Sequence, residues 1–168
     1  MLKNPELRKK SIAVYSFGKT FHATGWKMGY TVAPDFLTKE IRKVHQFLVF
    51  SVNTAIQWAL ADFLKDPGNY EYLPGFFQKK RDQLLELMRP SRFVPISCKG
   101  TYFQTFSYAD ISDKPDREMA EWITKTYGVA AIPLSPFYTD GEDNKHLRLC
   151  FAKSEETLKQ AAEKLCQI

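Results

Sequence analysis

Ser16-Phe-Gly-Lys19-Thr-Phe-His-Ala-Thr-Gly-Trp-Lys27 is the segment on which the reading of this chain turns. Two short apolar runs flank it. Residues 11–17, Ser-Ile-Ala-Val-Tyr-Ser-Phe, have strand composition and stop at Gly18-Lys19, and a second run from Met28 to Ala33 stops at Pro34. The two read as neighbouring strands. The segment between them is too polar and glycine-rich for a core, and too aromatic for a plain linker. Gly18 lets the backbone turn sharply after the first strand, which places the Lys19 ammonium at a cleft. Ser16 and Lys27 flank that lysine with a hydroxyl and a second ammonium, a pair suited to holding a phosphate while Lys19 reacts.

Outward from this segment the pattern turns helical. Asp35 is a good N-cap, and Leu37, Ile41, Val44 and Leu48 share one face of a helix expected to run to about Phe50. After the Ser51-Val-Asn-Thr break, Ile56, Leu60, Phe63 and Leu64 mark a second helix ending at Asp66-Pro-Gly68. A third, from about Tyr72 to Met88, turns Phe77, Leu84, Leu85 and Met88 inward.

The remainder reads as a compact α/β unit. Strands are expected at 93–97, 101–107, 129–132 and 146–151, with a helix from about Asp116 to Tyr127 whose Met119, Trp122, Ile123 and Tyr127 share a face. The last helix has Ser154 as its cap, Glu155 and Glu156 in the first turn and a stripe of Leu158, Ala161, Ala162 and Leu165. Internal repeats and low-complexity segments are absent from the sequence.

Composition bounds what such a chain does. Its 168 residues, 44% hydrophobic and 26% charged, can fill a core and solvate a surface, which argues against disorder and fibrous repetition. Of the net charge of +5, residues 1–50 hold nine Lys/Arg against three Asp/Glu. That basic front suits an anionic ligand or nucleic acid on charge alone, though a solvated helix face explains most such runs. Cys98, Cys150 and Cys166 form an odd, widely spaced set without a CxxC pair, which disfavours a disulfide framework or zinc site and fits a reducing compartment. With no apolar run long enough to span a bilayer and no signal peptide, a cytoplasmic protein is expected. His22 and His45 lack metal-ligand spacing, and no metal site is expected. Trp26, Trp58 and Trp122 are expected in core or interface rather than as a base-stacking platform.

The central segment, written Ser-x-x-Lys-Thr-Phe-x-x-Thr-Gly-Trp-Lys-x-Gly, resembles the lysine motif of class I, fold type I, pyridoxal-phosphate-dependent aminotransferases. It is most similar to the kynurenine and methionine aminotransferase branch, which shares Gly-Lys-Thr-Phe and the lysine of Gly-Trp-Lys. The likeness continues through Arg42-Lys-Val-His45-Gln, Lys80-Arg-Asp82, Gly100-Thr-Tyr-Phe103 and Arg148-Leu-Cys-Phe-Ala152. The fold that the resemblance implies is α/β: the end of the aminotransferase large domain, two strands plus helices over residues 1–69, joined to the small C-terminal α/β domain over 70–168.

The resemblance also implies a site. Lys19 would form the Schiff base with pyridoxal 5'-phosphate and then act as general base and acid on the substrate Cα. Ser16 and Lys27 would bind the cofactor phosphate, Lys27 as a point charge where many relatives carry a bidentate arginine. Arg148 would grip the α-carboxylate of the substrate through two parallel N–H donors. Phe50 falls where the kynurenine branch uses an aromatic residue of the partner subunit to wall the side-chain pocket, and Ser51 follows where some relatives have histidine. The implied partners are an amino acid of methionine, aromatic or kynurenine type, a 2-oxo acid, and a second subunit in a homodimer of the full-length form, with no nucleic acid and no membrane.

One departure from the family concerns extent. The chain starts just before the strand leading to the lysine, so the groups that hold the pyridine ring in relatives are expected outside it, and Ile12, Val14 and Val32 are expected to line an uncovered sheet edge. The expected activity is amino-group transfer through Lys19. The alternatives are a catalytically inert fragment and a C–S β-lyase on the same scaffold.

Overall fold

In the computed structural model, which describes residues 3–168, the chain divides into two units, Met1–Glu71 and Tyr72–Ile168. The architecture is mixed α/β with antiparallel strands.

The first unit opens with a single helical turn, α1 (Pro5–Arg8), capped by the Asn4 side chain. The strands β1 (Ala13–Ser16) and β2 (Gly29–Val32) pair antiparallel with Ala13 opposite Val32 and Ser16 opposite Gly29. Their ladder needs glycine at position 29, because a Cβ there would lie 2.4 Å from the Tyr15 carbonyl oxygen. Between the strands lie a second short turn, α2 (Phe17–Thr20), and a 3₁₀ turn, Thr24–Trp26. Two longer helices follow, α3 (Asp35–Leu48) and α4 (Thr54–Phe63). Asp35 is the first residue of α3 and not its cap, since Pro34 with its fixed φ of −59° takes the capping position. An aspartate one residue inside still opposes the helix dipole favourably. Asn53 caps α4 by accepting the Ile56 N–H at 3.1 Å. Of the expected face of α3, Leu37 and Ile41 are half-buried while Val44 and Leu48 are exposed.

The second unit runs α5 (Leu73–Met88), β3 (Val94–Pro95), β4 (Phe103–Ser107), α6 (Asp116–Tyr127), β5 (Ile132–Pro133), β6 (His146–Cys150) and α7 (Glu155–Leu165). The strands form one antiparallel sheet in the order β3-β4-β6-β5. Alternation divides its central strands. Gln104, Phe106 and Leu147 are buried, and Phe106 and Leu147 share one cluster with Leu84 and Met88 of α5, Met119 and Ile123 of α6, and Leu158 and Leu165 of α7. Each fully buried side chain of this size stabilises the fold by about 1.5–3 kcal/mol relative to exposure. The opposite face, with Phe103, Thr105 and Arg148, is half-buried. Ser154 caps α7 through the Thr157 N–H, as its sequence indicates.

The edge strands are shorter than their apolar runs. Pro95 and Pro133 have no N–H to donate, which limits both to two residues at the sheet's margins. Trp26 and Trp58 are exposed and belong to no core, whereas Trp122 packs against the second unit's cluster. No helix among the described residues is long and apolar enough to cross a membrane.

Candidate functional site

The β1–β2 hairpin carries three of the candidate residues. Ser16 ends β1, and its carbonyl accepts from the Thr20 hydroxyl at 3.2 Å, which ties down the turn bearing Lys19. The connector then folds back on itself: Phe21 N–H donates to the Phe17 carbonyl at 2.8 Å, Ala23 N–H to Gly18 at 3.0 Å, and Phe17 N–H to Met28 at 3.1 Å. Gly18 is buried against this return, and a Cβ there would meet the Thr24 Cα at 3.0 Å. Lys27 immediately precedes Met28 and adopts a left-handed backbone with φ of 53°. For a lysine that conformation costs about 1–2 kcal/mol. The strain is retained at the residue that the sequence marks as a phosphate anchor.

Ser16, Lys19 and Lys27 are all exposed, and neither lysine forms an ion pair among the described residues. Other lysines are engaged in ion pairs, as Lys9 is with Glu6 and Lys43 with Glu40, both at 2.8 Å. One hydroxyl and two uncommitted ammoniums on a single hairpin form a donor set that fits a phosphate-bearing aldehyde such as pyridoxal phosphate. Phe50 follows the end of α3 in a left-handed conformation, φ 64°, and is 82% exposed. Its neighbours Phe47, Leu48 and Val49 are exposed too.

Arg148 belongs to the second unit. It lies in β6, opposite Thr105 of β4 and Ile132 of β5, on the half-buried sheet face. With Ser97, Cys98, Thr101, Phe103 and Thr105 it lines a recess of about 410 Å³. Thr101, in this recess, has a φ of 65°, rare for a β-branched residue. The Arg148 Nε is buried without a hydrogen-bond acceptor, and no acid pairs with the guanidinium among the described residues. Leaving such a donor unmatched costs about 1–3 kcal/mol. Two aromatic rings lie against the cation instead, Phe103 at 4.2 Å and Phe137 at 5.1 Å from centroid to guanidinium carbon. The sequence reading missed both rings. Strand alternation already sets Phe103 on the face of Arg148, but nothing local announces Phe137.

A polar network occupies the same unit. Buried Asp116 accepts the Ser135 N–H at 2.6 Å and its hydroxyl at 2.7 Å. The Asp116 N–H donates to Asp143 at 3.0 Å, and Asp143 also accepts the Lys145 N–H at 2.8 Å. Desolvation pushes the Asp143 carboxyl upward, but these two backbone donors and the Lys145 charge outweigh it and hold the group below the usual aspartate range. Tyr108, wholly buried, donates to the Lys114 carbonyl at 2.9 Å. Burial, then the charges of Asp143 and Asp116, raise its phenol well above the ordinary tyrosine range. No group of His, Cys, Asp and Glu among the described residues could hold a metal ion, and the three cysteines are unpaired.

The sequence profile of aminotransferase class I and II matches residues 4–165. Methionine aminotransferase of Escherichia coli is 52% identical across 100% of this chain, which covers 44% of that protein. Human kynurenine–oxoglutarate transaminase 1 is 33% identical across 96% of the chain, which covers 43% of it. Among solved structures, one from Escherichia coli described as identifying a methionine aminotransferase function superposes with a TM-score of 0.93 at 52% identity, over 99% of this chain and 44% of that one. N-succinyldiaminopimelate aminotransferase of Mycobacterium tuberculosis superposes with a TM-score of 0.84 at 28% identity, over 99% and 44%. The chain thus spans less than half the length of the relatives it matches.

Proposed function

Because the chain belongs to the class I and II aminotransferases, we propose that it supplies the lysine hairpin and the carboxylate-binding arginine of an enzyme that moves an amino group from an amino acid to a 2-oxo acid. The substrate class is methionine, aromatic amino acids or kynurenine, a reading supported by the names of the similar proteins. The observation that carries it is the uncommitted Lys19, one turn beyond β1, on a hairpin that also bears Ser16 and Lys27.

Each residue's part follows from its chemistry. Ser16 would donate a hydroxyl hydrogen bond to the cofactor phosphate, and Lys27 would oppose its charge. Lys19 would hold the cofactor through its amine and, when its amine is free, would serve as the base and acid for the proton of the substrate Cα. Pyridoxal phosphate, when bound, supplies the electron sink that makes that Cα–H bond labile. Arg148 holds the α-carboxylate by its guanidinium fork, which fixes the direction of the Cα–H bond. Phe50 serves a substrate pocket in the homodimer, where a partner subunit uses its exposed ring as a wall. We place the enzyme in the cytoplasm, since an odd set of unpaired cysteines suits a reducing compartment.

The test joins a chemical and a catalytic readout. The chain is incubated with pyridoxal phosphate, reduced with borohydride, digested and analysed by mass spectrometry. The expected result is the cofactor's mass on Lys19, with one oxo acid released per amino acid consumed when the remaining half of the family's length is present. Label distributed evenly over exposed lysines would remove the Lys19 assignment. Release of ammonia, pyruvate and a thiol would assign a β-lyase instead.

A further inference from the structure

Phe137 is 65% exposed, so hydrophobic burial gives it little reason to keep one position. Yet its ring centroid stands 5.1 Å from the Arg148 guanidinium carbon, which also has the Phe103 centroid at 4.2 Å. The backbone explains how. Phe137 ends the 3₁₀ turn Ser135–Phe137, and the first residue of that turn is pinned by two hydrogen bonds to the buried carboxylate of Asp116. Asp116 stands at the start of α6 and is itself tied through its N–H to Asp143. Phe103 is fixed differently, as the first residue of β4, two positions from the Thr105 that pairs with Arg148.

The geometry points to Phe103 and Phe137 as positioning residues that clamp the Arg148 guanidinium, and to Asp116, through Ser135, as the anchor that sets the Phe137 ring. A planar cation beside two aromatic rings is attracted to their electron-rich faces without spending its N–H donors on an acid. The clamp therefore holds Arg148 in place while leaving its terminal fork for a ligand carboxylate, a consequence that rests on the proposed role of Arg148. The unpartnered Nε is what this arrangement leaves behind. A salt bridge would hold the side chain equally well, but it would occupy the same fork and compete with substrate.

The experiment uses the 168-residue chain labelled with nitrogen-15 and follows the arginine side-chain Nε–Hε signals. The Arg148 signal is identified by its loss in Arg148→Lys. A proton held over ring faces resonates upfield, so this signal is expected upfield of those of the other six arginines. Phe137→Leu moves it back toward them, Ser135→Ala moves it part of the way by removing one of the two anchoring bonds, and Phe137→Tyr leaves it in place. The probe is 4-methylthio-2-oxobutanoate, the 2-oxo acid of methionine. Its dissociation constant is expected to rise about five- to tenfold in Phe137→Leu and to stay within about twofold in Phe137→Tyr. An Arg148 signal that is not upfield, or that Phe137→Leu leaves unmoved in an otherwise native spectrum, overturns the clamp. Equal dissociation constants in wild type and Phe137→Leu also overturn it while the carboxylate reading survives. A signal that responds to Phe137→Leu but to no concentration of oxo acid keeps the clamp and removes the carboxylate reading.

Discussion

Val14 in β1 is 76% exposed, whereas Phe106 in β4 is 1% exposed, although both are apolar residues of short antiparallel strands. The contrast extends through both units. In residues 72–168 fourteen buried apolar residues join into one cluster drawn from the sheet, three helices and the segments beside them. In residues 3–71 only Ala13, Met28 and Leu60 are buried apolar residues, while Phe36, Phe47, Leu48, Phe50 and Trp58 stand in solvent. Helix caps, glycine approaches and hairpin hydrogen bonds shape the first unit, and those interactions are individually small. A hydrophobic core shapes the second. The chemistry proposed for the chain sits mostly where its own core is thinnest.

The largest expected effect breaks the comparison at its chemical end. Lys19→Ala should abolish cofactor labelling after borohydride and all amino transfer, while leaving the urea midpoint of the chain unchanged, because an exposed lysine without ion pairs contributes little to stability. A loss of stability alongside activity would mean that Lys19 is structural.

The next effect lies at the opposite end. Phe106→Ala should cost about 3–5 kcal/mol in urea unfolding, from lost transfer energy and the cavity left behind. Val14→Ala, in the first unit, should stay within about 0.5 kcal/mol. Comparable costs for the two would erase the distinction between the units.

The same contrast explains what the sequence made legible. The helix Asp116–Tyr127 matches its expected bounds because everything that defines it is local or internal: acids in the first turn, an apolar stripe that meets its own core, and Gly128 in a left-handed cap. The stripe Leu37-Ile41-Val44-Leu48 has the same periodicity, but Val44 and Leu48 are exposed. Periodicity reports that a face is apolar, and it does not say what covers that face. For the candidate site, Ser16, Lys19 and Lys27 are legible as candidates since a contiguous motif carries them, and Arg148 through its own motif. The Phe137 ring beside Arg148 is not, because it reaches Arg148 through a turn held by Asp116, nineteen residues before Ser135.

A smaller effect comes from two caps of equal chemistry. Ser154 and Asn53 each accept one N–H at the start of a helix, α7 in the second unit and α4 in the first. Ser154→Ala should lower global stability by about 1 kcal/mol. Asn53→Ala should leave the global transition in place and instead raise amide hydrogen exchange along α4, whose only buried residue is Leu60. Equal shifts in the global transition would show that the first unit unfolds together with the second.

The smallest expected effect is titratable and confined to the second unit. Asp143 is held below its ordinary range in the folded state, so it binds a proton more readily when unfolded. Its contribution is therefore complete above the pKa of an unfolded aspartate, about pH 4. It is lost as the pH falls through the lower, folded value. Thermal melts from pH 6 to pH 2 should show stability declining below about pH 4, with a shallower decline in Asp143→Asn, which keeps the side chain's size but has no proton to gain. Tyr108 acts with the opposite sign of slope. Its raised phenol keeps its proton in the folded state, so stability falls as the pH rises past about 10, where an unfolded tyrosine ionises. Tyr108→Phe should flatten that alkaline limb while losing the bond to Lys114 at every pH. Because both groups belong to residues 72–168, hydrogen-exchange protection factors along the β1–β2 hairpin, each normalised to the intrinsic exchange rate at that pH, should change little over either limb if the two units respond separately. Parallel changes would show that the hairpin draws its order from the second unit's core.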